Sequence, residues 1–349
     1  MANRTRAIDG GAEVKRRLSQ RTRLLVALLA LSVALLATAY LSVASGMVTI
    51  DLQALWSGFS TASSRQVDDL VWQVRLPRFL VAALAGASLA VAGSVLQASL
   101  ANPLADPGLL GIAPGASLAL AITIVCALPV GTYGLPFVAL AGGLLMGVLV
   151  LVMTRLTRGP VQLILLGAAI SALIAAVTTI VTLLGTPSDL QLLTFLLSGS
   201  LTGKGWMDLQ AMLPFVAPGL LLATTLPRRL NALQLGDSVA TGLGIDVMGS
   251  RIVAFSAAIL LVAPVVAACG PIGFVALLAP HMARAALRSA NTMLVMPCAA
   301  MIGAVLLSAG DLTAREFVKP AELPVGLMTT VLGVPVALWL LRRSGRTTR

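Results

Sequence analysis

Long uncharged apolar runs alternate along this chain with short polar breaks, most of them basic. The uncharged runs cover residues 24–50, 79–105, 107–154, 159–188, 209–227, 252–283, 289–310 and 323–341. A helix rising about 1.5 Å per residue needs about 20 apolar residues to cross a hydrocarbon core. Two runs are too long for one crossing. The run 107–154 breaks at the turn-rich Pro129–Val130–Gly131–Thr132–Tyr133–Gly134–Leu135–Pro136, and 252–283 breaks at Cys269–Gly270–Pro271. Splitting both predicts ten spans, at about 24–44, 79–99, 109–128, 135–154, 161–184, 209–226, 251–268, 272–288, 293–312 and 325–342. The expected fold is all-α, a polytopic membrane protein. One membrane domain, 24–342, lies between a basic N-terminal segment, 1–23, and a basic tail, 343–349. Outside the spans, Leu190–Leu197 has the pattern of a short helix near the interface.

Composition supports lipid as the solvent. Of 349 residues 58% are hydrophobic and 11% charged, with a mean hydropathy of +0.97. A soluble domain carries roughly 25% charged residues. The net charge of +11 would suit nucleic acid if the basic residues shared one folded surface. They are instead spread between the apolar runs, so no nucleic-acid partner is expected.

The basic residues orient the chain. With ten crossings and the N-terminus inside, 18 of the 24 Lys and Arg fall on the inner side, from Arg4 to Arg349. Arg65, Arg75, Arg78, Lys204, Arg315 and Lys319 remain outside. That is the bias of cytoplasmic loops. It places both termini in the cytoplasm of a bacterial inner-membrane protein. The first apolar run is far longer than the core of a signal peptide and reads as a retained helix.

Catalytic chemistry is sparse. His281 is the lone histidine, at the inner end of a span, and Cys126, Cys269 and Cys298 lie in separate spans without metal-ligand spacing. No ionisable side chain is expected deep within a span, where a proton-coupled carrier would place one. Gly199–Ser200–Leu201–Thr202–Gly203–Lys204–Gly205 resembles a phosphate loop but is one residue short, and Gly205 stands where Ser or Thr is required. The chain is therefore expected not to be an enzyme and to bind no cofactor of its own. The apolar Gly143-x-x-x-Gly147 face predicts close helix packing.

Several segments together carry a family resemblance. They are Arg75–Leu76–Pro77–Arg78, then Gly86–Ala87–Ser88–Leu89–Ala90, Gly93, Gln97, and the run Asn102–Pro103–Leu104–Ala105–Asp106–Pro107–Gly108–Leu109–Leu110–Gly111. Later come Gly270–Pro271–Ile272–Gly273–Phe274–Val275, Pro280–His281–Met282–Ala283–Arg284, Asp311–Leu312–Thr313–Ala314–Arg315 and Glu322–Leu323–Pro324–Val325–Gly326. The ordered set resembles the FecCD-type permeases of bacterial ABC importers for ferric siderophores, cobalamin and haem.

The resemblance implies a ten-helix subunit with a partly inverted internal repeat. It implies a second permease subunit, identical or paralogous, two ATPase subunits that hold ATP and Mg, and a periplasmic or lipoprotein substrate-binding protein. It assigns Arg75, Arg78 and Arg315 to docking of that binding protein. It assigns the loop Leu235–Gly236–Asp237–Ser238–Val239–Ala240–Thr241–Gly242–Leu243–Gly244 to ATPase coupling, chiefly through Leu235, Gly236, Asp237, Ala240, Leu243 and Gly244. On its own residues that loop can form a short helix, with Asp237 near its start and Gly244 at its end. Gln97, Asn102, Pro103, Pro160, Val161, Ser171 and Thr178 are the expected path and gate residues. The run 102–111 looks most like the ferric-siderophore branch; cobalamin and haem are the alternatives within the family. A secondary transporter or a structural membrane subunit are the readings outside it.

Overall fold

The computed structural model describes residues 2–45, 69–156, 160–317 and 322–331, with Gly333 and Pro335. It is helical throughout, with no strand among the described residues. The helices are α1 (Ala2–Ala44), α2 (Leu76–Ser99), α3 (Ile112–Val125), α4 (Leu135–Leu156), α5 (Pro160–Leu183), α6 (Pro187–Leu197), α7 (Trp206–Thr225), α8 (Pro227–Leu233), α9 (Asp237–Gly242), α10 (Val247–Cys269), α11 (Val275–Leu287) and α12 (Thr292–Phe317). A π-helical turn, Leu70–Arg75, leads into α2, and residues 325–331 are again helical. Among the described residues seven helices are long and apolar enough to cross a membrane, while Ile112–Val125 and Val275–Leu287 are shorter apolar helices.

Helix ends depart from the expected spans where turn chemistry intervenes. α3 starts at Ile112 because the preceding run turns at Asp106–Pro107–Gly108 and Gly111 adopts φ 81°. α11 starts at Val275 because Gly270 (φ 73°) and Phe274 (φ 66°) both take left-handed backbone. α2 is extended backwards by the π turn, whose wider ladder precedes Pro77, a residue with no N–H to give. α6 covers the expected interfacial helix and starts with a capping box, Thr186 and Asp189 each bonding the other's backbone N–H.

α2 and α10 form the centre. α2 packs on α12, α10, α11 and α7, and α10 packs on α2, α4 and α7. Contact is close where side chains vanish. A Cβ on Gly86 would strike the Gly303 carbonyl and a Cβ on Gly303 the Gly86 carbonyl, so α2 and α12 cross backbone to backbone. Gly93 meets the Ala276 carbonyl of α11 in the same way. Gly143 and Gly147 let α4 receive Ile259 of α10. α1 and α5 are peripheral: Leu29 and Val33 on α1 and Leu173 on α5 are about two-thirds exposed (67%, 67% and 64%). Aliphatic side chains standing outward along whole helices are what lipid requires.

Candidate functional site

Two constellations occupy opposite ends of the bundle. The first gathers where α1 and α12 end and α2 begins. Arg78, in the first turn of α2, donates from Nε and Nη2 to Asp311 of α12, with Nη2 to Oδ1 at 2.8 Å. Its Nη1 donates to both oxygens of Glu322, at 3.0 and 3.2 Å. Glu322 also accepts from the Thr202 hydroxyl at 2.6 Å. Burial pushes the Glu322 carboxyl up, but the Thr202 hydroxyl and the Arg78 guanidinium outweigh it and hold it below the usual glutamate range. Arg315 lies 3.6 Å from Asp311 and donates from Nη2 to the hydroxyl and carbonyl of Ser42. Arg75 donates to the Val43 carbonyl. Carbonyls in the last turn of α1, those of Ser42 and Val43, thus accept from two guanidiniums of neighbouring helices. One side chain chelated by two carboxylates tolerates burial because charge and donors are both matched.

The segment resembling a phosphate loop serves this clasp. Ser200 N donates to the Cys269 carbonyl, Gly326 N donates to the Gly199 carbonyl, and Thr202 reaches Glu322. A Cβ on Gly326 would meet the Ser198 carbonyl at 2.5 Å, so the start of the last helical run lies flat on 198–202.

The second constellation is at the other end. α8 is pinned to the start of α12: Asn231 bonds the Asn291 side chain at 2.9 Å and accepts from Thr292 N, and Gln234 donates to the Thr292 hydroxyl. α9 follows after Gly236 (φ 98°). It ends in a Schellman turn, with Ile245 N donating to the Ala240 carbonyl and Gly244 N to that of Thr241, Gly244 taking φ 77°. Arg251 of α10 pairs with Asp237 at 2.8 Å and donates from Nε to the Ser99 carbonyl that ends α2. A rigid platform results. Leu235 (63% exposed), Val239 (46%) and Leu243 (62%) stand outward from it, while Ala240 is fully buried.

Beyond Ser99 the chain folds into the run 100–111. Ala101 takes φ 47°, Asn102 N donates to the Gln97 carbonyl, and Asn102 Oδ1 accepts from Leu104 N, so Pro103 sits inside a side-chain-closed turn. Ser171 of α5 donates to the carbonyls of Gly108 and Leu109 at 3.0 and 3.2 Å, which ties this run to α5.

Several expected placements need correction. Arg75 and Arg78 are buried and Arg315 nearly so, each with partners inside the chain, rather than presented to solvent. Asp311 is buried as well, at the outer end of α12, where the expected span 293–312 also ends. Gln97 is wedged between α2 and α11, its Nε2 on the carbonyls of Ala276 and Leu277 and its Oε1 accepting from Arg284 at 2.6 Å. The Thr178 hydroxyl is turned back onto Ile174 of its own helix. Both side chains are buried. Ala240 faces inward, where Val239 faces out. Pro160 opens α5, but its side chain and that of Val161 lie outside the described residues. Sequence reasoning missed Asp311, Glu322 and Thr202 as partners of Arg78. The signal was present: no acid stands three or four residues from Arg78, so a cation in apolar surroundings had to find one elsewhere.

Comparison with known proteins fits this arrangement. The FecCD transport family matches residues 34–343. The Fe(3+) dicitrate transport system permease protein FecD of Escherichia coli (strain K12) is 38% identical over 315 residues, 90% of this chain and 97% of that protein. The vitamin B12 import system permease protein BtuC of Vibrio cholerae serotype O1 is 41% identical over 295 residues, 83% and 88% of the two chains. A solved structure described as a metal-chelate type ABC transporter in an inward-facing conformation superposes with a TM-score of 0.80 at 28% identity, covering 90% of this chain and 98% of that one.

Proposed function

The chain belongs to the FecCD transport family, and from that premise we propose that it is the permease subunit of an ABC importer that carries a ferric siderophore across a bacterial inner membrane. The observation that carries this reading is the α9 platform. Three aliphatic side chains held outward on a hydrogen-bonded, salt-bridged base form an apolar knob that stands exposed among the described residues, the kind of surface that seats in another protein. The partner is an ABC-type ATPase, one copy for each of two permease subunits, and ATP and Mg are bound there. The two permease subunits are identical or paralogous. Arg228, Arg229, Arg251, Arg284 and Arg288 cluster towards the α9 end of the helices, which supports a cytoplasmic α9 and cytoplasmic termini.

At the outer end, Arg75, Arg78 and Arg315 receive the carboxylates of a substrate-binding protein. Their convergence from two separate helices and their place in the matched motifs support this role. A guanidinium suits the task because it stays charged and grips a carboxylate with two parallel bonds. The path runs beside the half-exposed α5 face and the run 100–111 that Ser171 holds. The resemblance of 102–111 to the siderophore branch favours iron, while the 41% identity to a vitamin B12 permease makes cobalamin the second reading.

Purification of the assembled importer tests the proposal. The permease should co-purify with an ABC-type ATPase, and hydrolysis should rise when the binding protein arrives loaded with ferric siderophore. Stimulation by cobalamin-loaded protein alone would move the substrate to the second reading. A permease that purifies without any ATPase would overturn the proposal.

A further inference from the structure

The two acids on Arg78 are not equivalent. Asp311 lies within α12, its side chain 3% exposed, and accepts three contacts from the guanidinium. Glu322 lies in the short link that opens the last helical run, with its side chain 36% exposed. It binds only Nη1, the part of the fork turned away from Asp311. Asp311 is enclosed between α2 and α12, which cross backbone to backbone farther along at Gly86 and Gly303. Glu322 is displaced by moving one half-solvated side chain.

From this geometry we infer that Glu322 is an internal stand-in for the docking protein's carboxylate: it occupies Nη1 of Arg78 in the undocked chain and is exchanged when a carboxylate-bearing partner arrives. The inference rests on the docking role proposed above for Arg78. Asp311 stays throughout as the permanent counter-ion, so Arg78 is never a naked buried cation, in line with the cost of leaving one charge of a buried pair alone.

The exchange has a mechanical consequence. Glu322 is followed at once by Leu323–Pro324 and the helical run 325–331. That run is tied to α12 by the Leu323 N–H on the Ala314 carbonyl, and to 198–202 and α2 by the Gly326 N–H on the Gly199 carbonyl and the Glu322 contacts to Arg78 and Thr202. Release of Glu322 from Arg78 removes one of these ties. Docking at Arg78 and loosening of the last helix from 198–202 are therefore one event, driven by one carboxylate replacing another.

The test uses the assembled importer in lipid nanodiscs and its own substrate-binding protein as the probe. Glu322→Gln keeps the shape and removes the competing charge; docking should tighten by about fivefold, the scale of a part-exposed ion pair. Arg78→Ala in the Glu322→Gln background should abolish that gain. Thr202→Val, which frees Glu322 without touching either charge, should tighten docking in the same direction by a smaller factor and remains informative if Glu322→Gln assembles poorly. A nitroxide at Leu327, which is 53% exposed, should gain mobility on docking in the wild type and be mobile beforehand in Glu322→Gln. If Arg78→Ala weakens docking but neither Glu322→Gln nor Thr202→Val tightens it, the docking role stands and the exchange is wrong. If Glu322→Gln weakens docking, Glu322 orients Arg78 instead and the exchange is likewise overturned. If none of the substitutions alters the affinity, the docking role itself fails and takes the exchange with it.

Discussion

At one end of the molecule arginines are buried; at the other, leucines and a valine are exposed. Both ends reverse the ordinary sorting of side chains, for opposite reasons. At the clasp, Arg78, Asp311 and Glu322 satisfy one another, so charge can be withdrawn from water without being left bare. At the α9 platform the polar groups are spent internally. Asp237 goes to Arg251 and Asn231 to Asn291, which leaves Leu235, Val239 and Leu243 as the outward face. The clasp is a complete electrostatic unit that needs nothing outside the chain to be stable. The platform is a hydrogen-bonded unit whose apolar surface stands exposed among the described residues. The region proposed for docking is thus marked by a buried charge, and the one proposed for ATPase contact by an unburied hydrophobe.

The largest effect should come from breaking the clasp. Arg78→Ala removes the closer of the two cations on Asp311, leaving that buried carboxylate only Arg315 at 3.6 Å, and should destabilise the purified permease by about 3 kcal/mol, read as a lower unfolding temperature in detergent. Replacing both Arg78 and Asp311 with leucine should recover part of that loss, since the most buried carboxylate leaves with its cation, while Glu322 keeps Thr202 and Arg315 keeps Ser42.

Next is a contrast within one short helix. Ala240→Arg forces a long cation into a fully buried site and should cost about 3 kcal/mol or more. Val239→Arg, one residue earlier and facing outward, should leave the unfolding temperature unchanged and abolish ATPase assembly. Size-exclusion chromatography of the two variants with the ATPase present separates the outcomes. Equal behaviour of both would mean that α9 is not a docking face.

A smaller effect is expected at Arg251, which touches Asp237 of α9 and the Ser99 carbonyl that ends α2. Arg251→Ala should let hydrolysis continue while uptake per ATP falls, and Arg251→Lys should restore part of it. If hydrolysis and uptake fall together, Arg251 only supports the loop's fold.

The smallest concerns pH. Glu322 has a folded value held below that of the unfolded chain, so its stabilising contribution is complete above pH about 4.3. It is lost as pH falls through the depressed folded value. The stability difference between wild type and Glu322→Gln should therefore be flat from neutral pH down to that point and shrink below it. A difference that shrank at pH 6 would contradict the Thr202 and Arg78 contacts.

Much of the architecture is legible in the chain because lipid imposes so few solutions. Uncharged runs of about 20 residues, broken by Gly and Pro, predict helices at the places where they stand. The start and stop of α9 follow from Gly236, Asp237 and Gly244 alone, since only local backbone chemistry is involved. The clasp is different. Arg78 and Asp311 are 233 residues apart, and nothing local reveals that the first turn of α2 meets the end of α12. The same holds for Gln97, whose place beside a broken helix suggests a path but whose partners on α11 enclose it. Polarity along a span indicates that a partner exists; only the packing of helices says which one, and whether it is protein or solute.

The most direct test of the account is uptake of radio-iron siderophore into proteoliposomes holding this permease, its ATPase and its binding protein. Accumulation that requires ATP on the ATPase side and is unaffected by collapsing the proton gradient is the predicted result. Accumulation driven by a proton gradient without ATP would contradict it.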